Sequence, residues 1–165
     1  MCNREISIIL SDLNNIRVKN ELKKQNIFSL GCYTNIDLYN TEQLLEFISL
    51  IDSCIPHNYQ LSKDIEELCN RLFNVIYSNE KYRDELEITM NNNIQSISRD
   101  LTVATEIYDN YKQEAQTDNL MDYIRNNYNI LITNITNLYN SNINTLNLLY
   151  YVIDGINKID HDNYE

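Results

Sequence analysis

Glycine, proline and tryptophan are almost missing from this sequence of 165 residues. It has two glycines, one proline and no tryptophan. Loops that cradle phosphate groups are rich in glycine, which lets the backbone approach the ligand closely, so Gly31 and Gly155 cannot supply one. The chain also lacks Gly-x-Ser-x-Gly and His-Glu-x-x-His motifs. We therefore expect a non-enzymatic protein, with no catalytic, cofactor-binding or metal-binding residues.

Clusters of basic residues are the second absence. The chain has 13 Lys and Arg residues against 24 Asp and Glu residues, for a net charge of −11, and Lys23 and Lys24 are its only adjacent basic pair. Contacts with phosphate groups need clustered Lys and Arg. We expect no binding to nucleic acid or to a membrane, and a basic protein is the better electrostatic match for a partner.

Targeting signals are the third absence. Residues 1–10 contain Arg4 and Glu5 and lack the apolar core of a signal peptide. The longest uncharged stretch, residues 126–153, contains nine asparagines, which are costly to bury in lipid. The four cysteines have no spacing typical of a disulfide framework. These features predict a cytoplasmic protein with reduced thiols and no transmembrane segment.

The cysteines are also candidates for metal ligands and nucleophiles. Cys54, His57 and Cys69, with Cys32 as a fourth ligand, have a spacing that matches no familiar zinc pattern. Cys54 and Cys69 fall on apolar helix faces, where a free cysteine behaves as a small hydrophobic residue. No motif orients a Cys and His pair for catalysis. We interpret Cys54 and Cys69 as core residues.

Apolar residues spaced by three and four are the most abundant pattern. In the C-terminal quarter this seam comprises Met121, Ile124, Tyr128, Leu131, Ile135, Leu138, Leu149, Val152, Ile156 and Ile159. Only Asn142 and Thr145 interrupt it. Such spacing lines one narrow stripe of a helix, which must be buried against another helix. Because no strand-like alternation persists elsewhere, we predict a single all-α domain over residues 1–165.

Start and stop signals divide the chain into five to seven helices. We predict a first helix over residues 3–25, a connector over 26–40 and a second helix from Thr41 to Pro56. A third helix is predicted to start at Ser62, with acidic Asp64, Glu66 and Glu67 in its first turn. A fourth is predicted to start at Ser78 or Asn79, and the last helical region is predicted to be capped by Thr117 or Asp118. The asparagine-rich junctions 91–93 and 140–142 are expected breaks. We predict that the two C-terminal regions form an antiparallel hairpin and that residues 160–165 are a frayed tail.

Tyrosines crowd the last helical region. Tyr123, Tyr139 and Tyr150 lie off its seam, so they face either a partner or another helix of the same chain. Tyrosine is favoured in protein interfaces, and these three residues are the candidate interface. Asn142 lies on the seam, where an unpaired amide is costly, and one such residue can fix the register of a helix assembly.

The amino-acid composition is a further informative feature of the sequence. Asparagine, isoleucine and tyrosine supply 27, 23 and 13 residues, which indicates an AT-rich genome. This composition and the layout of several short helices resemble the Bcl-2-like intracellular modulators of poxviruses. The resemblance implies a host-response modulator acting in a host cell. The chain lacks the Asn-Trp-Gly-Arg motif of the groove in that group, so no residue role is carried over.

These observations favour an intracellular protein that binds another protein through a helical groove or face. The expected partner is basic or presents an amphipathic helix. Two alternatives stay open. One is a structural bundle that self-assembles into a homo-oligomer through the C-terminal seam, and the other is an acidic mimic that inhibits a nucleic-acid-binding protein.

Overall fold

Four long helices make up the fold. The computed structural model describes residues 3–162, which form α1 (Asn3–Ser29), α2 (Thr41–Tyr77), α3 (Glu80–Ala115) and α4 (Leu120–Asp162). Two 3-10 turns, Leu30–Cys32 and Ile36–Leu38, connect α1 to α2. Residues 3–162 contain no strand, so the all-α prediction is confirmed, whereas the predicted count of five to seven helices is wrong.

Asparagine side chains cap two of the helix starts. The Asn40 Oδ1 accepts a 2.9 Å hydrogen bond from the Gln43 backbone N–H, and the Gln43 Oε1 accepts one of 3.1 Å from the Asn40 N–H. This reciprocal capping satisfies two backbone donors at the start of α2. Asn79 caps α3 in a similar way through the Lys81 N–H. The predicted starts of these two helices are therefore confirmed.

Pro56 does not end a helix, contrary to the prediction. It lies inside α2, on the exposed side of the helix. Its missing N–H removes one backbone hydrogen bond, but the buried residues Ile51, Ile55 and Leu61 on either side of it keep the chain helical by packing. The predicted second and third helices are thus one helix, and Ser62 lies in its interior rather than at a start.

The asparagine-rich junctions do not break their helices either. α3 runs through residues 91–93, with the Asn93 side chain donating a 2.7 Å hydrogen bond to the Thr89 carbonyl. α4 runs through residues 140–142, with Asn142 buried at 1% exposure. Met90 and Ile97 are buried on either side of the first junction. Packing therefore keeps each helix continuous through its junction. The poxvirus resemblance included a layout of several short helices, and residues 3–162 do not have that layout.

α3 and α4 form an antiparallel hairpin joined by residues 116–119. Tyr82 near the start of α3 donates a hydrogen bond to Asp160 near the end of α4, and Asp100 accepts one of 2.5 Å from Ser141. The start of α3 therefore lies beside the end of α4, so the two helices run in opposite directions. Residues 160–162 belong to α4, and residues 163–165 lie outside the described range, so the predicted fraying of residues 160–165 stays a prediction.

The consecutive pairs α1–α2 and α2–α3 are antiparallel as well, which gives an up-down-up-down bundle in which α2 and α4 run parallel. The Asn26 amide of α1 donates to the Ser53 hydroxyl of α2 at 3.1 Å. Between α2 and α3, the rings of Tyr59 and Tyr108 stack with centroids 4.7 Å apart. α1 and α3 each pack against both α2 and α4, and α2 also packs against α4.

Two apolar clusters fill the bundle, one toward each end. A group of polar residues lies between them, and we call it the polar belt. It comprises Asn20, His57, Asn58, Ser62 and Asn142. Four of these are at most 3% exposed, and His57 is half-buried. Residues of α1, α2 and α4 all contribute to the polar belt.

Candidate protein-binding groove

The outer surface of the α1 and α2 pair carries three hollows in a line. They have volumes of about 210, 240 and 360 Å³. Ile16, Lys19 and Asp64 line both the first and the second hollow, and Arg71 lines both the second and the third. α2 rises roughly 30 Å from His57 at one end to the other end near residue 78. We call this row of hollows the α1–α2 groove.

The floor of the groove is apolar. Leu61, Leu68 and Val75 supply it from α2, and Ile16 supplies it from α1. All four side chains are at most 9% exposed. The three residues of α2 recur every seven positions, which places them on one side of the helix, toward α1. The groove therefore follows from the pairing of two helical stripes.

An ion-pair cluster joins the two walls. The Arg71 Nη1 donates a 2.7 Å hydrogen bond to the Asp12 Oδ2, and its Nη2 lies 3.6 Å from the Glu5 Oε1. The hydrogen bond to Asp12, followed by the charges of the two carboxylates, raises the pKa of Arg71 above its ordinary value. These three residues link α1 to α2, and their charges sum to −1.

Three other charged side chains line the walls of the groove. Lys19 lies on the α1 wall, and Asp64 and Glu67 lie on the α2 wall. Within residues 3–162, none of these three side chains has an ion pair. Asp64 accepts a 2.9 Å hydrogen bond from Gln60 on its own helix. Two carboxylates on one wall thus face a lysine on the other.

The polar belt reaches the groove at His57. The Asn20 amide donates a 3.1 Å hydrogen bond to the Tyr139 hydroxyl, so its Oδ1 is the atom that accepts from the His57 Nε2 at 3.2 Å. Burial, and then the charge of Lys23, lower the pKa of His57. The imidazole of His57 is therefore neutral at pH 7. It connects the first hollow to Asn20 of α1 and, through Asn20, to Tyr139 of α4.

Deeper in the polar belt, two amides connect α2 to α4. The Asn142 Nδ2 donates a 2.8 Å hydrogen bond to the Ser62 Oγ, and the Asn58 Nδ2 donates one of 3.0 Å to the Ile135 carbonyl. Buried amides without partners are costly, so these bonds favour one register of the two helices. The polar belt thereby fixes the position of α2, which carries one wall of the groove.

The three predicted interface tyrosines contact other helices of the same chain. Tyr139 is 2% exposed and hydrogen-bonded to Asn20, which leaves it little surface for a partner. Tyr150 donates a 2.6 Å hydrogen bond to Asn14 of α1. Tyr123 is half-buried against the second apolar cluster. All three tyrosines pack within the chain, which is the second option that the sequence left open, and an interface role for them stays a prediction.

Cys54 and Cys69 lie where the core interpretation places them. Cys54 and Cys69 are at most 2% exposed, and burial raises the pKa of their thiols to about 12 and about 11. Cys32 is exposed. In the described part of the chain, no group of three or more His, Cys, Asp or Glu side chains is arranged to hold a metal ion.

Sequence reasoning missed the groove. It assigned Asp64 and Glu67 to the first turn of a helix, where acidic residues favour the helix dipole, but both lie in the interior of α2. The seven-residue recurrence of Leu61, Leu68 and Val75 was the signal that could have identified this side of the helix.

Two further findings bear on the class of protein. None of the helices described for residues 3–162 has a long enough apolar stretch to cross a membrane. Neither a protein-family model, nor a curated protein, nor a solved structure matches this chain. Its function is therefore inferred from the geometry of the groove.

Proposed function

We propose that this protein is a non-enzymatic interaction module that binds an amphipathic helix of a partner protein along the α1–α2 groove. The observation that carries the proposal is the alignment of the three hollows over an apolar floor. A host-response role for such binding rests on the composition alone.

The length and the floor of the groove favour a helical ligand. A helix of about 20 residues is roughly 30 Å long, which is the rise of α2 along the groove. Apolar residues at every third and fourth position of the ligand would lie over Ile16, Leu61, Leu68 and Val75. Helices that lie in apolar grooves are recognised through such stripes.

The charge of the groove favours basic residues on the ligand. Asp64 and Glu67 lie on the α2 wall without an ion pair in the described chain, and the whole protein has a net charge of −11. A Lys or Arg beside these carboxylates would add complementary contacts and speed the encounter of the two molecules.

The proposal is tested with a designed helical peptide of about 20 residues that has a leucine stripe and Lys and Arg on its flanks. Its affinity is measured by fluorescence anisotropy at physiological salt. We expect the Asp64→Lys/Glu67→Lys variant to bind about tenfold more weakly, because two favourable contacts become repulsive. Asn15→Trp, which adds bulk beside the middle hollow, should also weaken binding.

A matched control separates the groove from the overall charge. Asp84→Lys/Glu85→Lys changes the net charge equally but lies on exposed positions of α3, which packs against α2 and α4. We expect it to change the dissociation constant by no more than about twofold, because exposed charges that do not line the groove are screened by salt. Equal weakening by both variants would contradict the proposed site.

A further inference from the structure

We infer that two copies of this chain associate through the outer face of α4, with the two α4 helices antiparallel and Asn140 at the two-fold axis. This interface is separate from the proposed function, because the groove is lined by residues of α1 and α2. It also differs from the apolar seam of α4, which is buried inside the bundle of one chain.

The outer face of α4 is a stripe of exposed residues, which we call the α4 stripe. Ile130 and Tyr151 are its apolar residues, and they are 60% and 67% exposed. Between them the exposed residues recur at intervals of three and four, which places them on one face of the helix. These polar residues are Thr133, Asn137, Asn140, Asn144 and Asn147.

The α4 stripe is uncharged on a protein whose net charge is −11. It lies within residues 126–153, which contain no Asp, Glu, Lys or Arg. A large net charge keeps molecules apart, so an uncharged face is where a second copy meets little repulsion. On the two sides of α4, Arg17 of α1 lies over the Tyr150 ring and Asp100 of α3 accepts a hydrogen bond from Ser141, and their charges cancel.

The order of residues along the α4 stripe is self-complementary. Ile130 and Tyr151 lie about equally far from Asn140 on its two sides, so a two-fold axis at Asn140 brings them opposite each other. The same axis brings Asn137 of one copy opposite Asn144 of the other. Asparagine amides both donate and accept hydrogen bonds, so such pairs satisfy each other. One surface can thus serve as both halves of a two-fold interface.

Two residues of opposite charge extend the α4 stripe at its ends. Asp122 and Lys158 are exposed and lie equally far from Asn140 in the sequence. The two-fold axis therefore brings Asp122 of each copy to the end where Lys158 of the other copy lies. Asp154 comes opposite Asn126, so its carboxylate meets an amide. Parallel helices would instead bring like charges together, and this complementarity favours an antiparallel second copy.

The contact is that of a single helix pair. The stripe from Asp122 to Lys158 is roughly 54 Å long and a helix is about 10 Å wide, which gives a contact of roughly 500 Å² on each copy. Stable interfaces bury about 800 Å² on each partner. We therefore expect a reversible dimer with a dissociation constant of about 10 to 100 μM.

Sedimentation equilibrium of the full-length protein under reducing conditions tests the dimer. Between about 5 and 500 μM, the mass should rise from that of one chain toward that of two. Asn140→Lys should weaken the dimer at least about tenfold, because it places two like charges at the axis although it lowers the net charge of the protein. The matched control Asn110→Lys, at an exposed position of α3, should change the dissociation constant by no more than about twofold.

A charge swap tests the ends of the α4 stripe. Asp122→Lys should weaken the dimer about threefold, because each end then carries two lysines. The double variant Asp122→Lys/Lys158→Asp should restore the wild-type dissociation constant, since the charges at each end are again opposite.

Disulfide formation tests the register and the direction of the helices. In a Cys2→Ser/Cys32→Ser background, Asn140→Cys alone should form a disulfide between two copies under mild oxidation. Thr133→Cys and Asn147→Cys should form little disulfide alone and should form it when the two variants are mixed, because these positions lie opposite each other.

Three results would overturn the inference. They are a mass of one chain at every concentration, equal dimerisation of the Asn140→Lys variant and the wild type, and disulfide formation by Thr133→Cys and Asn147→Cys each alone, which indicates parallel helices. None of them bears on the groove, whose peptide binding is measured separately.

Discussion

The Asn142 amide donates a 2.8 Å hydrogen bond to the Ser62 hydroxyl, although the two residues lie 80 positions apart in the chain. Both residues are at most 2% exposed, and they join α4 to α2 in the polar belt. Because the α2 wall of the groove is carried by the same helix, this pair connects the core of the bundle to the proposed docking surface.

The first prediction concerns this pair. Asn142→Ala should lower the free energy of unfolding by about 2 kcal/mol, because it leaves the Ser62 hydroxyl buried without a partner and creates a cavity. Urea unfolding measures the change. Asn110→Ala, at an exposed position of α3, is the matched control and should stay within about 0.5 kcal/mol of the wild type. Equal losses in the two variants would show that the hydrogen bond contributes nothing.

The second prediction concerns Pro56. Pro56→Ala should raise the free energy of unfolding by about 1 to 3 kcal/mol, because alanine restores a backbone donor inside α2 and removes a steric clash with the preceding turn. Pro56 is exposed, so the substitution removes little buried surface. Thermal and urea unfolding both report the gain. An unchanged or lower stability would mean that the proline is accommodated without cost.

The third prediction concerns Gly155, which lies against Leu86. A Cβ at Gly155 would come within 3.1 Å of the Leu86 Cδ2, so Gly155→Leu should overpack the contact of α3 with α4 and cost about 1 to 3 kcal/mol. Gly31→Ala is the control, since a Cβ at Gly31 would have nothing within 4 Å of it and the φ of this glycine is not positive. The control should be neutral or slightly stabilising. A stable Gly155→Leu variant would contradict the close packing.

The fourth prediction concerns the thiols. In a Cys2→Ser variant, which removes the one thiol outside the described residues, a thiol reagent at pH 8 should modify Cys32 quickly and leave Cys54 and Cys69 unmodified until the protein is unfolded. The reason is that burial raises the pKa of both buried thiols, which keeps them protonated. Fast reaction of all three thiols in the native protein would contradict the burial.

The same pKa shifts predict the sign of an alkaline effect. Below pH 9 both thiols are protonated in the folded and the unfolded chain, so the stability that they contribute is complete. From about pH 9 upward the unfolded chain loses protons that the folded chain keeps, up to the raised pKa values of about 11 and about 12. The free energy of unfolding should therefore fall as the pH rises through this range.

Local patterns predicted the helices well where packing and pattern agree. The seam of α4 is buried at Ile124, Ile135 and Val152, and the start of α3 at Asn79 followed from its capping side chain. Spacing by three and four residues carries this information because a helix has 3.6 residues per turn.

The continuity of the helices through these positions could not be predicted, because it depends on residues that are distant in the chain. Pro56 and Asn142 each disfavour a helix locally, but contacts with residues that are remote in the chain keep both positions helical. Asn142 stays helical with its amide paired to Ser62, a partner that no local window contains. The groove was missed for the same reason, since it exists only where α1 and α2 lie side by side.

The most direct test of the docking surface is a map of backbone chemical shifts. The ¹⁵N-labelled protein is titrated with the designed basic peptide, and the changes are assigned residue by residue. We predict that the largest changes follow the α1–α2 groove from His57 through Asp64 to Arg71. Changes confined to the exposed faces of α3 and α4, or a peptide that binds without perturbing the groove, would contradict the proposed docking surface.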